Sequence, residues 1–143
     1  MIKEKTKNPH VVADEQSMLT LGKEISQTLK KGNIIYLHGN LGAGKTTLTK
    51  GILQGLGFTG IVKSPTYTLI ETYPINGITL QHFDLYRLSN PEELEWIGIR
   101  DYFTNDTISL IEWPQKGGDL IPKPSKEIYI QYADNRRSIN ILD

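Results

Sequence analysis

Between Asp14 and Lys30 the apolar residues Met18, Leu21, Ile25 and Leu29 recur at spacings of three and four, which predicts an amphipathic helix ended near Gly32. The run Asn33-Ile34-Ile35-Tyr36-Leu37-His38 is short, apolar and β-branched, as a buried strand should be. Thr47 to Leu53 returns to a helical pattern, which runs out between Gly55 and Gly60. Tyr67 to Tyr73 and Ile78 to Asp84 are β-rich and flank Pro74-Ile75-Asn76-Gly77; Asn-Gly favours a hairpin turn, so an antiparallel pair is predicted beside the first strand. Asn90-Pro91-Glu92-Glu93 reads as a helix start, with Asn as cap and acids at the positive end of the helix. Thr107 to Ile111 predicts a second buried strand ending at Glu112, and Pro114, Gly117, Gly118, Pro122 and Pro124 mark a loop. Glu127 to Tyr132 and Ser138 to Leu142 predict two closing strands joined by residues 133–136, while residues 1–10 read as a loose, lysine-bearing end. Alternating strands and helices predict an α/β layered fold, with ligands at the carboxyl ends of its strands.

Composition narrows the classes. The 143 residues suit one domain, and 16 basic against 16 acidic residues argue against a protein that binds polyanions by bulk charge. With no cysteine there is no disulfide and no thiolate metal site or nucleophile. No segment approaches the roughly 20 apolar residues of a membrane span. The first eight residues carry no apolar run after their lysines, as a secretory signal would. A cytoplasmic location is the expectation.

The strongest chemical signal lies between the first strand and the second helix. Gly39-Asn40-Leu41-Gly42-Ala43-Gly44-Lys45-Thr46 has the form G-x-x-x-x-G-K-[ST], in the strand–loop–helix context that the motif requires. Its glycines let successive backbone N–H groups turn around an anion, and the helix N-terminus adds unpaired donors. Lys45 is placed to reach β- and γ-phosphates, and the Thr46 hydroxyl to bind Mg²⁺. A nucleoside triphosphate is the predicted ligand, in a P-loop NTPase-like three-layer sandwich with a mixed, mostly parallel sheet, an antiparallel hairpin and C-terminal strands. No Asn-Lys-x-Asp guanine reader occurs, which favours ATP.

Two strand-end acids can complete such a site. Glu112 follows the more uniformly apolar strand and is favoured as the metal ligand, although aspartate is usual there; Asp84 is favoured as the group that orients or deprotonates water. The bland alternative for either is a capping acid on the surface. Ser64-Pro65-Thr66-Tyr67-Thr68 suits either a loop sensing the γ-phosphate or a proline-braced turn. Trp113 is expected to pack in the core by default, and His82 to point to the sheet face opposite Asp84, a poor position for a base. Lys45→Ala is expected to spare the fold, on the view that the loop backbone does not depend on the amine.

Four segments carry a resemblance: Leu37 to Thr47, Lys63 to Leu69, His82-Phe83-Asp84-Leu85-Tyr86-Arg87-Leu88 and Ile111-Glu112-Trp113-Pro114. In this order and spacing they resemble the TsaE (YjeE) family, bacterial ATPases needed for the threonylcarbamoyladenosine modification of tRNA. The resemblance implies that Asn40, Leu41, Gly42, Ala43, Gly44, Lys45, Thr46 and Thr47 hold ATP, that Thr46 and Glu112 bind Mg²⁺, and that Lys45 and Asp84 serve hydrolysis. It further implies that Glu15 lies near the adenine, that Arg136 or Arg137 closes the other side of the nucleotide, and that Trp113 belongs to a functional surface. The implied role is an accessory one: ATP hydrolysis would reset a TsaB–TsaD complex, with tRNA touched only indirectly. Two other classes stay open. A small P-loop kinase would want an arginine-rich lid, and the region after Trp113 offers only Lys116, Lys123 and Lys126. A nucleotide-switched binding module would hydrolyse only incidentally.

Overall fold

The computed structural model describes residues 9–40 and 42–143, the side chain of Ala133 excepted. Its elements are β1 (His10–Val12), α1 (Glu15–Ser26), β2 (Ile34–His38), α2 (Lys45–Leu56), β3 (Ile70–Ile75), β4 (Ile78–Asp84), α3 (Glu92–Trp96), β5 (Thr107–Glu112), β6 (Lys126–Ala133) and β7 (Arg136–Leu142), with short 3₁₀ turns around Ile99–Tyr102 and after Trp113. Among the described residues, seven strands form one sheet in the order β1-β7-β6-β2-β5-β4-β3. The four central strands, β6, β2, β5 and β4, run parallel. The flanking pairs are antiparallel.

Several boundaries shift for identifiable reasons. The first helix ends early, because the Gln27 and Thr28 amides turn back to the Glu24 and Ile25 carbonyls. The chain before Asp14 is not all loose: His10 to Val12 pair with β7. Three residues with one buried side chain give too little periodicity to read as a strand. The strand predicted from Tyr67 starts instead at Ile70, since Leu69 takes φ 73° and closes a turn onto the Pro65 carbonyl. The hairpin turns at Asn76 and Gly77, both at positive φ, as Asn-Gly predicts. It does not sit beside the phosphate-loop strand, however. β5 lies between them, and the parallel β2–β5 and β5–β4 pairs bury a strand whose apolar run suits that position.

The sheet is covered on both faces, giving the expected three layers. On one face α1 and α2 pack over Ile35, Leu37, Leu80, Ile108, Leu110 and Ile128. On the other, Ile34, Phe83 and Ile111 meet Leu85, Leu94, Ile99 and Ile121. The helix pair touches at its backbones: a Cβ on Gly51 would lie 2.4 Å from the Leu19 carbonyl oxygen, and one on Gly22 2.6 Å from that of Leu48. This close crossing fixes α2, and therefore the loop that precedes it, over the carboxyl ends of β2, β5 and β4. Among the described residues no helix is long and apolar enough to cross a membrane.

Candidate functional site

The loop from Gly39 joins β2 to α2 at the carboxyl end of the parallel strands. Gly42 and Gly44 take φ 80° and 110°, a region that side-chain-bearing residues avoid. Gly44 is also closely covered, because a Cβ there would come within 2.9 Å of Met18 Cε and 3.4 Å of Arg137 Nε. Arg137 braces the loop from outside, its Nε donating to the Ala43 carbonyl at 2.8 Å and its Nη2 to that of Gly42 at 3.2 Å. Those bonds hold the Gly42 and Ala43 carbonyls on the Arg137 side, while the Ala43 amide turns back to the Asn40 carbonyl at 3.0 Å.

Inside the loop, Lys45 is 6 % exposed. Its Nζ donates to the Gly39 carbonyl at 2.6 Å and lies 3.4 Å from Glu112 Oε1. The amine therefore does tie the loop together, contrary to the expectation that the backbone is independent of it. Trp113 places its ring centroid 5.0 Å from the same Nζ and packs 4.9 Å from Tyr86. Its φ of 57° is unusual for a bulky residue, and it is the turn at this residue that directs the indole over the lysine. Trp113 is thus a half-buried wall of the site as well as a neighbour of the core, and its buried Nε1 has no hydrogen-bond partner among the described residues.

Sheet register brings the acids together. Glu112 pairs with Leu37 on β2 and with Asp84 on β4, so both carboxylates project on the face that α2 covers. Both are almost fully buried, against the reading of either as a surface cap. Burial pushes the Asp84 carboxyl above its usual range, only partly offset by the Tyr86 amide donating to its Oδ1 at 3.0 Å. For Glu112 burial acts in the same upward direction, but the hydrogen bond from His82 and the positive charge of Lys45 outweigh it, and its pKa is lowered. Two carboxyl groups on neighbouring strands are thus biased apart, one toward the anion and one toward holding a proton.

The expectation for His82 was wrong. Residues two apart on a strand share a face, so His82 and Asp84 point the same way. His82 is fully buried, with Nε2 2.6 Å from Glu112 Oε2. Of the two arginines expected beside the nucleotide, Arg136 lies exposed at the β6–β7 turn and Arg137 bonds the phosphate loop. Glu15 opens α1 and is exposed; one helical turn on, Met18 covers Gly44. Asn40 and Thr46 are exposed, and Thr47 half-buried, at the loop and the start of α2. Leu41 lies outside the described residues. The Ser64–Thr68 segment ends at Leu69, whose carbonyl accepts from the Asp84 amide at 2.9 Å, and Ser64 Oγ and Thr66 Oγ1 lie 2.7 Å apart.

A cleft of about 880 Å³ opens beside the loop, lined by His38, Gly39, Asn40, Gly42, Ala43, Tyr129, Gln131, Tyr132 and Arg137. That is in the range of small-molecule sites. The residues fit a phosphate-borne divalent cation better than a protein-only metal cage. Among the described residues no three His, Cys, Asp or Glu side chains form a group that could hold a metal, and Mg²⁺ typically takes one or two carboxylates with substrate phosphates and water.

Comparison with known proteins places the chain in a family. The family model described as threonylcarbamoyl adenosine biosynthesis protein TsaE matches residues 12–139. The chain belongs to the TsaE family. A TsaE of Haemophilus influenzae is 52% identical over 136 residues, covering 92% of this chain and 86% of that protein. A TsaE of Bacillus subtilis is 41% identical over 111 residues, covering 77% of this chain and 69% of that protein. The crystal structure of Bacillus subtilis YdiB superposes with a TM-score of 0.79 at 29% identity, covering 98% of this chain and 87% of that one. The TsaE match spans the phosphate loop, both acids and Arg137.

Proposed function

We propose that this TsaE protein binds and hydrolyses ATP with Mg²⁺, as an accessory to a TsaB–TsaD complex in the threonylcarbamoyladenosine modification of tRNA. The observation that carries the reading is the convergence of Lys45 and Glu112 at the mouth of the phosphate loop, 3.4 Å apart and both buried. A buried ion pair beside an anion cradle is a poor stability device. It suits a site in which the lysine exchanges a carbonyl and a carboxylate for phosphate oxygens.

In the proposed mechanism the amides of residues 42–46 and the Lys45 ammonium receive the β- and γ-phosphates. Thr46 and Glu112 would hold Mg²⁺, which supplies neutralisation of the charge shared by those phosphates. Asp84, whose ionised carboxylate is made a stronger base by burial, would orient water and accept its proton. Arg137 is engaged by loop carbonyls, Arg87 lies over the Tyr67 ring and Arg100 pairs with Glu95, so none of these three is aimed at the γ-phosphate by its contacts among the described residues. Turnover is therefore expected to be slow alone and to rise when a partner completes the site. The binding-module reading predicts the opposite dependence, with partner function surviving the loss of hydrolysis.

The test is steady-state phosphate release with Mg²⁺, with and without TsaB–TsaD, for the wild type, Glu112→Ala and Asp84→Asn. The reading expects partner-stimulated turnover that both substitutions abolish. A fast rate indifferent to the partner, or phosphoryl transfer to a small molecule, contradicts it.

A further inference from the structure

His82 is not among the residues the phosphate-loop chemistry requires, yet it is buried on the sheet face where the apolar run of Leu80 and Leu110 meets the acids Asp84 and Glu112. Its register partner on β5 is Leu110, and Leu80 precedes it on the same face. An apolar side chain there would continue the core. Instead the imidazole is fully buried, and its Nδ1 has no hydrogen-bond partner among the described residues. Leaving a buried polar atom unpaired is destabilising. The geometry limits that penalty in one way: with the proton on Nε2, Nδ1 is a bare lone pair and Nε2 donates to Glu112 Oε2 at 2.6 Å.

The two oxygens of Glu112 are thereby divided. Oε2 is held by His82, and Oε1 is the oxygen on the Lys45 side, at 3.4 Å. We propose that His82 is a positioning residue that fixes the Glu112 carboxylate so that it offers Oε1 alone to the divalent cation at the phosphate loop. This rests on the ATP and Mg²⁺ reading above. A carboxylate pinned at one oxygen binds in a single-oxygen mode and keeps its orientation when Lys45 leaves it for phosphate. Partners of this kind, one bond behind a ligand, commonly set metal affinity.

The test separates positioning from mere packing by titrating binding of a fluorescent ATP analogue against Mg²⁺, and repeating it without Mg²⁺. His82→Leu removes the donor and keeps the volume apolar. His82→Gln keeps an N–H near the position of Nε2. The proposal expects the Mg²⁺ midpoint to rise roughly tenfold in His82→Leu and to stay within about threefold of wild type in His82→Gln, with Mg²⁺-free affinity unchanged in both. If His82→Leu does not fold, His82→Asn carries the same comparison, because its amide matches Nδ1 and falls short of Glu112. Equal midpoints in wild type and in the variant lacking the donor overturn the positioning role while leaving the ATP reading intact. Wild-type protein whose binding ignores Mg²⁺ overturns both.

Discussion

One face of one sheet ends in two different ways. Under α1 and α2 the face is apolar, with Leu80, Ile108 and Leu110 buried and two helix backbones in contact through Gly22 and Gly51. Two to four residues further along the same strands, that face carries His82, Asp84 and Glu112, all buried, beside Lys45. Each fully buried leucine at the first end contributes about 1.5–3 kcal/mol. The second end buries charge, which rarely repays its desolvation. Stability and chemistry are thus segregated along the strands, and substitutions at the two ends should have effects of opposite kind.

The largest expected effect is on binding. Lys45→Ala should weaken triphosphate affinity by about a hundredfold or more, as loss of a buried charged donor does, measured by calorimetric titration; unchanged affinity would remove Lys45 from the site. Because Nζ also bonds the Gly39 carbonyl, this variant should lose some stability too. At the apolar end, Gly51→Ala forces the helices apart and should destabilise by about 2 kcal/mol in urea unfolding, with nucleotide affinity of the folded protein unaffected. A stability loss that brought an equal affinity loss would dissolve the contrast. Glu112→Gln should raise the Mg²⁺ requirement for nucleotide binding about tenfold, equivalent to about 1.4 kcal/mol.

On stability alone, with turnover lost, Asp84→Asn should give the smallest effect, and it should be a gain. The amide oxygen can keep the Tyr86 hydrogen bond while the buried charge is removed, so the apo fold should gain about 1 kcal/mol. The sign follows from the raised pKa. A carboxyl whose folded pKa lies above its unfolded value binds more protons when folded, so wild-type stability falls as pH rises from the unfolded value through the folded one. The advantage of Asp84→Asn should be absent below the ordinary carboxylate range, grow through that interval and then level off. A melting-temperature difference that is flat with pH, or reversed, would contradict it.

Much of this contrast was legible in the sequence. The phosphate loop, the β2 and β5 runs and the Asn76-Gly77 turn are local patterns, and they appear where residue spacing puts them. Glu112 and Asp84 were readable as strand-end acids, but their adjacency depends on β5 entering between β2 and β4, which no local pattern encodes. Choosing Arg137 over Arg136 needs the β7 register, since neighbouring strand residues face opposite ways. β1 is legible only through its partner β7. Trp113 was readable as an aromatic beside an acid, while its wall over Lys45 follows from a positive φ that sequence does not announce.

A crystal structure with a non-hydrolysable ATP analogue and Mg²⁺ probes the charged end most directly. The account expects Lys45 Nζ to have left the Gly39 carbonyl for the β- and γ-phosphates, with the ion between Thr46 and Glu112 Oε1 and Asp84 facing the γ-phosphate. Triphosphate bound elsewhere, or an ion in that loop with Glu112 still on Lys45, would contradict it.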